Sequence, residues 1–332
     1  MSTQQVLERA GTAPGPLGEA VARLRRAPWS GAAVYVGFVL VFAYFAITLA
    51  DRGFLTGHNF LTILQQTAPI TVMACATVFV LSAAEIDLSI GAVVALSAVV
   101  GAQAVNAFGA PVGAAVGFAV GVLAGLLNGT LVVALRVPSF LITLGTTELF
   151  AGATEIFSHL QDIPVSNVGF ATIFGSGAFA SLPVALLWSV AALVVAHLTL
   201  RWTAFGQRVL ATGDNRISAR AVGINTSRVR IAVLAVSGGA AGLAGLIYTG
   251  QIQGAIYTLG VNDMLATLAA VVIGGTTLRG GYGSVVGAFV GSILMGVIRN
   301  GLLLAGLTAS QQTLVTGLII VLAVAISQRE KA

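Results

Sequence analysis

Charge is scarce in this chain. Of 332 residues only 8% are Asp, Glu, Lys or Arg, against about 25% in an ordinary soluble domain. Water could not dissolve a surface of this composition, which excludes a soluble globular protein. Cysteine is almost absent. Cys75 stands alone in an apolar run, so there is no disulfide framework and no cysteine-based metal cluster. The three histidines, His58, His159 and His197, match no metal-ligand spacing. A nucleotide-binding phosphate loop is missing too: Gly274-Gly275-Thr276 lacks the lysine that such a loop needs. No paired histidines and no nucleophile arrangement support a reaction, so the chain does not read as an enzyme. The first 27 residues lack the ordered regions of a secretory signal.

What is present is apolar length. Hydrophobic residues make up 57% of the chain, and mean hydropathy is +0.98. Crossing the hydrocarbon takes roughly 20 helical residues. The apolar runs place about ten transmembrane helices at 31–50, 62–83, 88–107, 112–135, 139–157, 182–200, 230–250, 262–278, 284–304 and 310–327; 262–278 is short and glycine-interrupted and 139–157 is weak, so eight or nine full crossings are the alternative. The fold class expected is an all-α polytopic membrane protein. The 41 glycines suit it, because small residues let membrane helices approach closely. Residues 1–30 read as an N-terminal tail with a short amphipathic stretch at Leu7–Leu24. Residues 31–328 form a single membrane domain, and 329–332 a C-terminal tail.

The formal charge of +5 comes from arginines beside the apolar runs. Positive-inside placement accounts for them better than nucleic-acid binding does. With Arg23, Arg25 and Arg26 inside, ten crossings also put Arg136, the loop 201–230, Arg279 and the Arg329/Lys331 tail inside. Arg52 falls outside, and Arg299 lies near the outer end of its helix. Both termini are then cytoplasmic. The longest outer connection, 158–181, reads either as a simple connector or as a short surface helix or partly re-entrant loop, able to meet an extracellular partner.

Two interruptions carry the functional signal. Glu85 and Asp87 break an apolar stretch in Glu85-Ile-Asp-Leu-Ser-Ile-Gly91. Asp87 and Ser89 suit a cap on the following helix. The alternative is a hinge or gate at a broken helix, in which a buried carboxylate needs a partner. Asp263 opens a later span in a similar way, five spans on and in opposite orientation, as a 5+5 inverted repeat would have it. The second interruption is the loop 201–230, which has a cap-and-stop pattern. Phe205–Ala211 reads as a short helix ended by Gly213, and Asn215 caps a second, Arg216–Val222, ended by Gly223. Such a knob can carry force from a soluble partner into the membrane helices.

Four stretches in order resemble one family: Asn59-Phe-Leu-Thr-Ile-Leu-Gln-Gln-Thr67, Ile86-Asp-Leu-Ser-Ile-Gly91, Gly206–Asn225, and Val272-Ile-Gly-Gly-Thr-Thr-Leu-Arg-Gly-Gly281 with Gly283, Gly287 and Gly291. They are similar to permease subunits of bacterial ABC importers of the ribose, xylose and galactose class. The resemblance implies a type II-like importer permease in the inner membrane, taking up a monosaccharide or polyol. Permeases of similar architecture for amino acids or nucleosides are the alternative, and a stand-alone carrier stands behind them. The implied partners are a second copy of the permease, a cytoplasmic ATPase that uses ATP and Mg, an extracytoplasmic sugar-binding protein and membrane lipid. The chain itself would bind no cofactor.

The same resemblance makes Gly206, Gly213, Asn215, Ala219, Arg220, Gly223 and Asn225 the segment that meets the ATPase. Glu85, Asp87, Ser89, Gly91, Asp263, Gly274 and Gly275 are the candidates for gates or helix breaks. Ala84 and Glu85 depart from the family, which commonly has glycine or another small residue before Ile-Asp-Leu-Ser. Polar residues on apolar helices, Gln65, Gln66, Asn128, Thr143, Thr146, Thr147 and Glu148, are the pathway candidates. Asn128 and Glu148 are the most costly to bury, and each equally suits an interhelical hydrogen bond.

Overall fold

The computed structural model describes residues 29–329. The expected amphipathic stretch and residues 330–332 lie outside them. Helices dominate: α1 (Trp29–Thr48), α2 (Gly57–Ser82), α3 (Ile90–Phe108), α4 (Ala110–Leu135), α5 (Ser139–Ser158), α6 (Val168–Phe174), α7 (Val184–Trp202), α8 (Ala204–Asp214), α9 (Arg216–Ala221), α10 (Thr226–Ile252), α11 (Asp263–Ile273), α12 (Val285–Leu304) and α13 (Ala309–Arg329). The few strand residues form two two-stranded ladders, Ile163–Pro164 with Gly254–Ala255 and Ala178–Phe179 with Leu182–Pro183.

Each of the ten expected apolar segments carries a helix. Seven of these, α2, α3, α4, α5, α7, α10 and α12, are long and apolar enough to cross a membrane. The segment at 262–278 is shorter than a full crossing, as its interrupting glycines suggest. Its helix α11 has only 11 residues, about 16 Å at 1.5 Å per residue, which is half of the hydrocarbon. It stops at Gly274-Gly275, where Gly275 adopts φ +88°, a conformation that L side chains resist.

The bundle closes around α4 and α10. Along α4, Gly113, Gly117, Gly121, Gly125 and Gly129 recur every four residues on one buried face. A Cβ at Gly125 would lie 2.2 Å from the Leu234 carbonyl oxygen, and one at Gly121 would lie 2.3 Å from that of Gly238. The two backbones therefore touch. In lipid no hydrophobic force drives helices together, so dispersion at this close approach supplies much of the association.

The connection at 158–181 forms a short helix, as one of its two readings anticipates. Asn167 Oδ1 accepts from the Phe170 amide at 2.9 Å and caps α6. Phe170 and Phe174 are buried, and Phe174 stacks on Trp188 of α7. At this end Arg52 donates to the Leu304 carbonyl, and Arg299 pairs with Asp263. Arg136, Arg216, Arg220 and Arg230 line one cavity at the other end. The bundle thus has an arginine-rich end.

Candidate functional site

Residues 83–89 connect α2 to α3 without helical structure. A non-helical segment packed inside a membrane bundle needs partners for its backbone groups. Helix α5 supplies them from one stripe of hydroxyls at four-residue spacing. Ser139 Oγ accepts from the Ile86 amide at 2.9 Å, and Thr143 Oγ1 accepts from the Leu88 amide at 3.0 Å. Thr143 also donates to the Ile86 carbonyl, and Thr147 to the Leu88 carbonyl at 3.1 Å. Glu85 N–H donates back to the Val80 carbonyl.

Asp87, 3% exposed, is the hub of this segment. Its Oδ1 accepts from the Ser89 amide and hydroxyl, and its Oδ2 accepts from Ser237 Oγ of α10 at 2.7 Å. Asn128 of α4 donates to Ser89 Oγ at 2.7 Å. The capping reading is thereby corrected. Ser89 occupies the N-cap position but makes no side-chain cap bond to the helix; Asp87 and Ser89 lock the loop and tie it to α10 instead. Asn128 thus makes a buried hydrogen bond from α4 to the loop.

Glu85, 2% exposed, meets two arginines. Arg216 of α9 donates to its Oε1 at 2.7 Å, and Arg230 of α10 forms a two-point pair with both carboxylate oxygens. The depth of Glu85 was open in sequence. It lies where the short helices join the bundle. Burial pulls the Arg216 guanidinium below its ordinary value; Glu85 opposes this, and Arg230 and Arg220 reinforce it.

The short helices form as the sequence predicts, with one correction. Helix α8 runs through Asp214, so Gly213 does not end it. Gly213 is there for contact: a Cβ would lie 1.9 Å from the Ser82 carbonyl oxygen and 2.8 Å from the Gly281 nitrogen. The Gly281 amide donates to that same Ser82 carbonyl at 3.0 Å. Three segments thus meet at one point: the end of α2, the end of α8, and the glycine loop after α11. Gly206 packs as tightly on the Leu200 backbone. Asn215 Oδ1 caps α9 through the Ile217 and Ser218 amides. Asn225 Oδ1 caps α10 through the Arg228 amide. Ala219 is buried, Arg220 donates to Thr226 Oγ1 at 2.8 Å, and Gly223 turns the chain with φ +86°.

The remaining candidates separate. Asp263 opens α11, accepts from Tyr248 Oη of α10 and pairs with Arg299 at 3.4 Å. Asp87 and Asp263 are therefore both anchored to α10, by Ser237 and Tyr248. The starts of α3 and α11 also meet, because a Cβ at Gly91 would lie 2.7 Å from the Gly260 carbonyl oxygen. Gly274 packs on Gly287 of α12. Thr143 and Thr147 hold the loop. Thr146 is buried and donates within its own helix. The Gln65 backbone carbonyl accepts from Gln251 Nε2 at 2.7 Å, while the Gln65 side chain donates to the Gly175 carbonyl. Gln66 and Glu148 are exposed on the single chain. Among the described residues, no cluster of His, Cys, Asp or Glu is placed to hold a metal.

Sequence reasoning missed Arg216 and Arg230 as partners of Glu85, and Ser139 and Ser237 as supports of the loop. The hydroxyl spacing of 139, 143 and 147 was a usable signal. Replacing Thr143 with valine keeps the shape but strands the Leu88 amide and the Ile86 carbonyl. Each stranded group costs about 1–3 kcal/mol, so Thr143→Val should lower the melting temperature of the purified protein, and Thr143→Ser should largely restore it.

The family described as branched-chain amino acid transport system / permease component matches residues 59–324. The ribose import permease protein RbsC of Bacillus subtilis is 36% identical over 298 residues, covering 89% of this chain and 91% of that protein. The fructose import permease protein FrcC of Rhizobium meliloti is 34% identical, with 87% and 83% covered. The L-arabinose ABC transporter permease protein AraH of Azospirillum brasilense is 31% identical, with 98% and 96% covered. No solved structure matches the chain. The match spans the locked loop, the short-helix pair and the glycine loop alike, and the chain belongs to this family of transporter permeases.

Proposed function

We propose that the chain is the transmembrane permease of an ATP-driven, binding-protein-dependent importer of a monosaccharide, pentose or hexose, or a related polyol. Near full-length similarity to permeases named for ribose, fructose and arabinose carries this reading. The permease works in the inner membrane with its termini and arginine-rich end cytoplasmic. Its ten helices all belong to the membrane domain of residues 31–328, with α11 dipping part-way across. Asp87 and Asp263 mark equivalent breaks of a 5+5 inverted repeat, and their common anchorage on α10 supports that reading.

Two copies form the pathway between them, and a separate ATPase supplies hydrolysis. An extracytoplasmic binding protein delivers the sugar to the 158–181 face. The ATPase seats on α8 and α9, with Arg220, Gly223 and Asn225 at the contact. Its closure pushes on the junction of Gly213, Ser82 and Gly281. Glu85 carries the same displacement from Arg216 into the loop 83–89. That loop is held by hydroxyls rather than by helix continuity, so it can change partners, which suits a gate. Gln65, Gln66 and Glu148 line the route. Glu148 favours this, since an ionised side chain facing lipid would be costly.

The family description, which mentions branched-chain amino acids, supports a second reading with the same machine and another substrate. Reconstitution with the partner ATPase and binding protein tests both. Uptake of a labelled pentose or hexose should require ATP and the binding protein. Uptake by this chain alone would overturn the importer reading, and ATP-dependent uptake of leucine in place of sugars would move the substrate.

A further inference from the structure

The arginine-rich end holds a cavity of about 940 Å³, of which the importer reading uses Glu85, Arg216 and Arg220 but not Arg136. Four cations line it, Arg136, Arg216, Arg220 and Arg230, against the single carboxylate of Glu85. Glu85 occupies Arg216 and Arg230. Arg220 spends only its Nε on Thr226. Arg136 makes no hydrogen bond or ion pair among the described residues, and it is exposed at the rim. Three positive charges are therefore unbalanced in one concavity.

Backbone conformation adds a second observation. Arg136 ends α4 with φ +57°, in the left-handed region that glycine or asparagine fills at lower cost. An arginine in that position directs a cation to the mouth of the cavity. Around Arg136 the residues Val133, Val137, Pro138 and Phe140 add an apolar part to the lining, beside the exposed Leu135 at the end of α4. Cations next to an apolar flank suit an anion that carries hydrocarbon.

We propose that this cavity binds the phosphate headgroup of an anionic phospholipid, its acyl chains lying along α4. Basic pockets between membrane helices at the cytoplasmic side recognise such headgroups. Arg136 holds the phosphate, while Glu85 keeps Arg216 and Arg230 in place beneath it. Bound lipid then braces α9, α10 and the start of α5, the elements around the locked loop. The inference needs no particular transported substrate.

The test is native mass spectrometry of the full chain in detergent, titrated separately with phosphatidylglycerol, phosphatidylcholine and inorganic phosphate. One phosphatidylglycerol should be retained per chain, in preference to phosphatidylcholine. Arg136→Gln should weaken that binding about fivefold, the factor that one arginine near an anionic surface supplies. Arg136→Lys should keep most of it. Arg52→Gln, at the far end of the bundle, should leave it unchanged. Equal retention of the two lipids, or no effect of Arg136→Gln, would overturn the site. An equal loss in Arg52→Gln would reduce the effect to bulk charge and overturn it too. Displacement of the lipid by millimolar inorganic phosphate would make the ligand a soluble anion and overturn the lipid assignment.

Discussion

Glu85→Ala should destabilise the protein by about 3–5 kcal/mol, the range for removing one partner of a buried ion pair. The cost falls mainly on Arg230, which is 8% exposed and loses both of its carboxylate contacts. Arg216 contributes less, because it is half-buried and water can reach it. The pair itself need not stabilise the fold relative to an apolar packing, since desolvating two ions offsets much of their attraction. The double variant Glu85→Ala/Arg230→Met should therefore recover much of the loss. Thermal unfolding of the two variants measures the difference. Equal stability of Glu85→Ala and the parent chain would remove Glu85 as the link between the short helices and the loop. If stability recovers in the double variant while ATP-driven uptake does not, the pair serves motion rather than folding.

Gly213→Val should cut ATP-driven uptake by more than tenfold with the helices still inserted. Its first side-chain atom falls 1.9 Å from a carbonyl oxygen, closer than any contact can be. The obstructing atoms are backbone of α2 and of the glycine loop, which cannot swing aside as a flexible side chain would. Relief comes only by lifting α8 off the bundle, and overpacking of this kind costs about 1–3 kcal/mol or more. That energy is small beside a whole bundle in a bilayer but large for the seating of an 11-residue helix. Gly223→Ala is the contrast. Nothing lies within 4 Å of its would-be Cβ, so the cost is the positive φ alone, roughly 1–2 kcal/mol. Uptake should fall much less there than in Gly213→Val. Equal uptake by Gly213→Val and the parent chain would show that the three-segment junction carries no motion.

Local features were legible because their causes are local. Apolar runs of helical length mark the seven helices long enough to cross a membrane. Asn215 announces α9 because a cap acts over two or three residues. The break at 82–91 is visible because charge interrupts an apolar run. Position along the chain did not reveal the use of each residue. Gly213 looks like a helix stop, and it is a contact surface. Ser89 looks like a cap, and it is part of a lock. Thr143 and Thr147 look like pathway polarity, and they satisfy a loop.

By itself the sequence determined that the chain lives in a membrane, which segments are helical, where the helix is interrupted, and that two short helices, the second capped, follow the sixth apolar segment. These follow from composition, periodicity and capping, each read within a few turns. Only the tertiary structure decided which charges meet. Glu85 finds Arg216 and Arg230 at 131 and 145 positions' distance, and Asp87 finds Ser237 at 150. Those pairings depend on which helix faces come together. The glycine faces of α4 and α10 set that packing, and no local pattern encodes the identity of the opposing face.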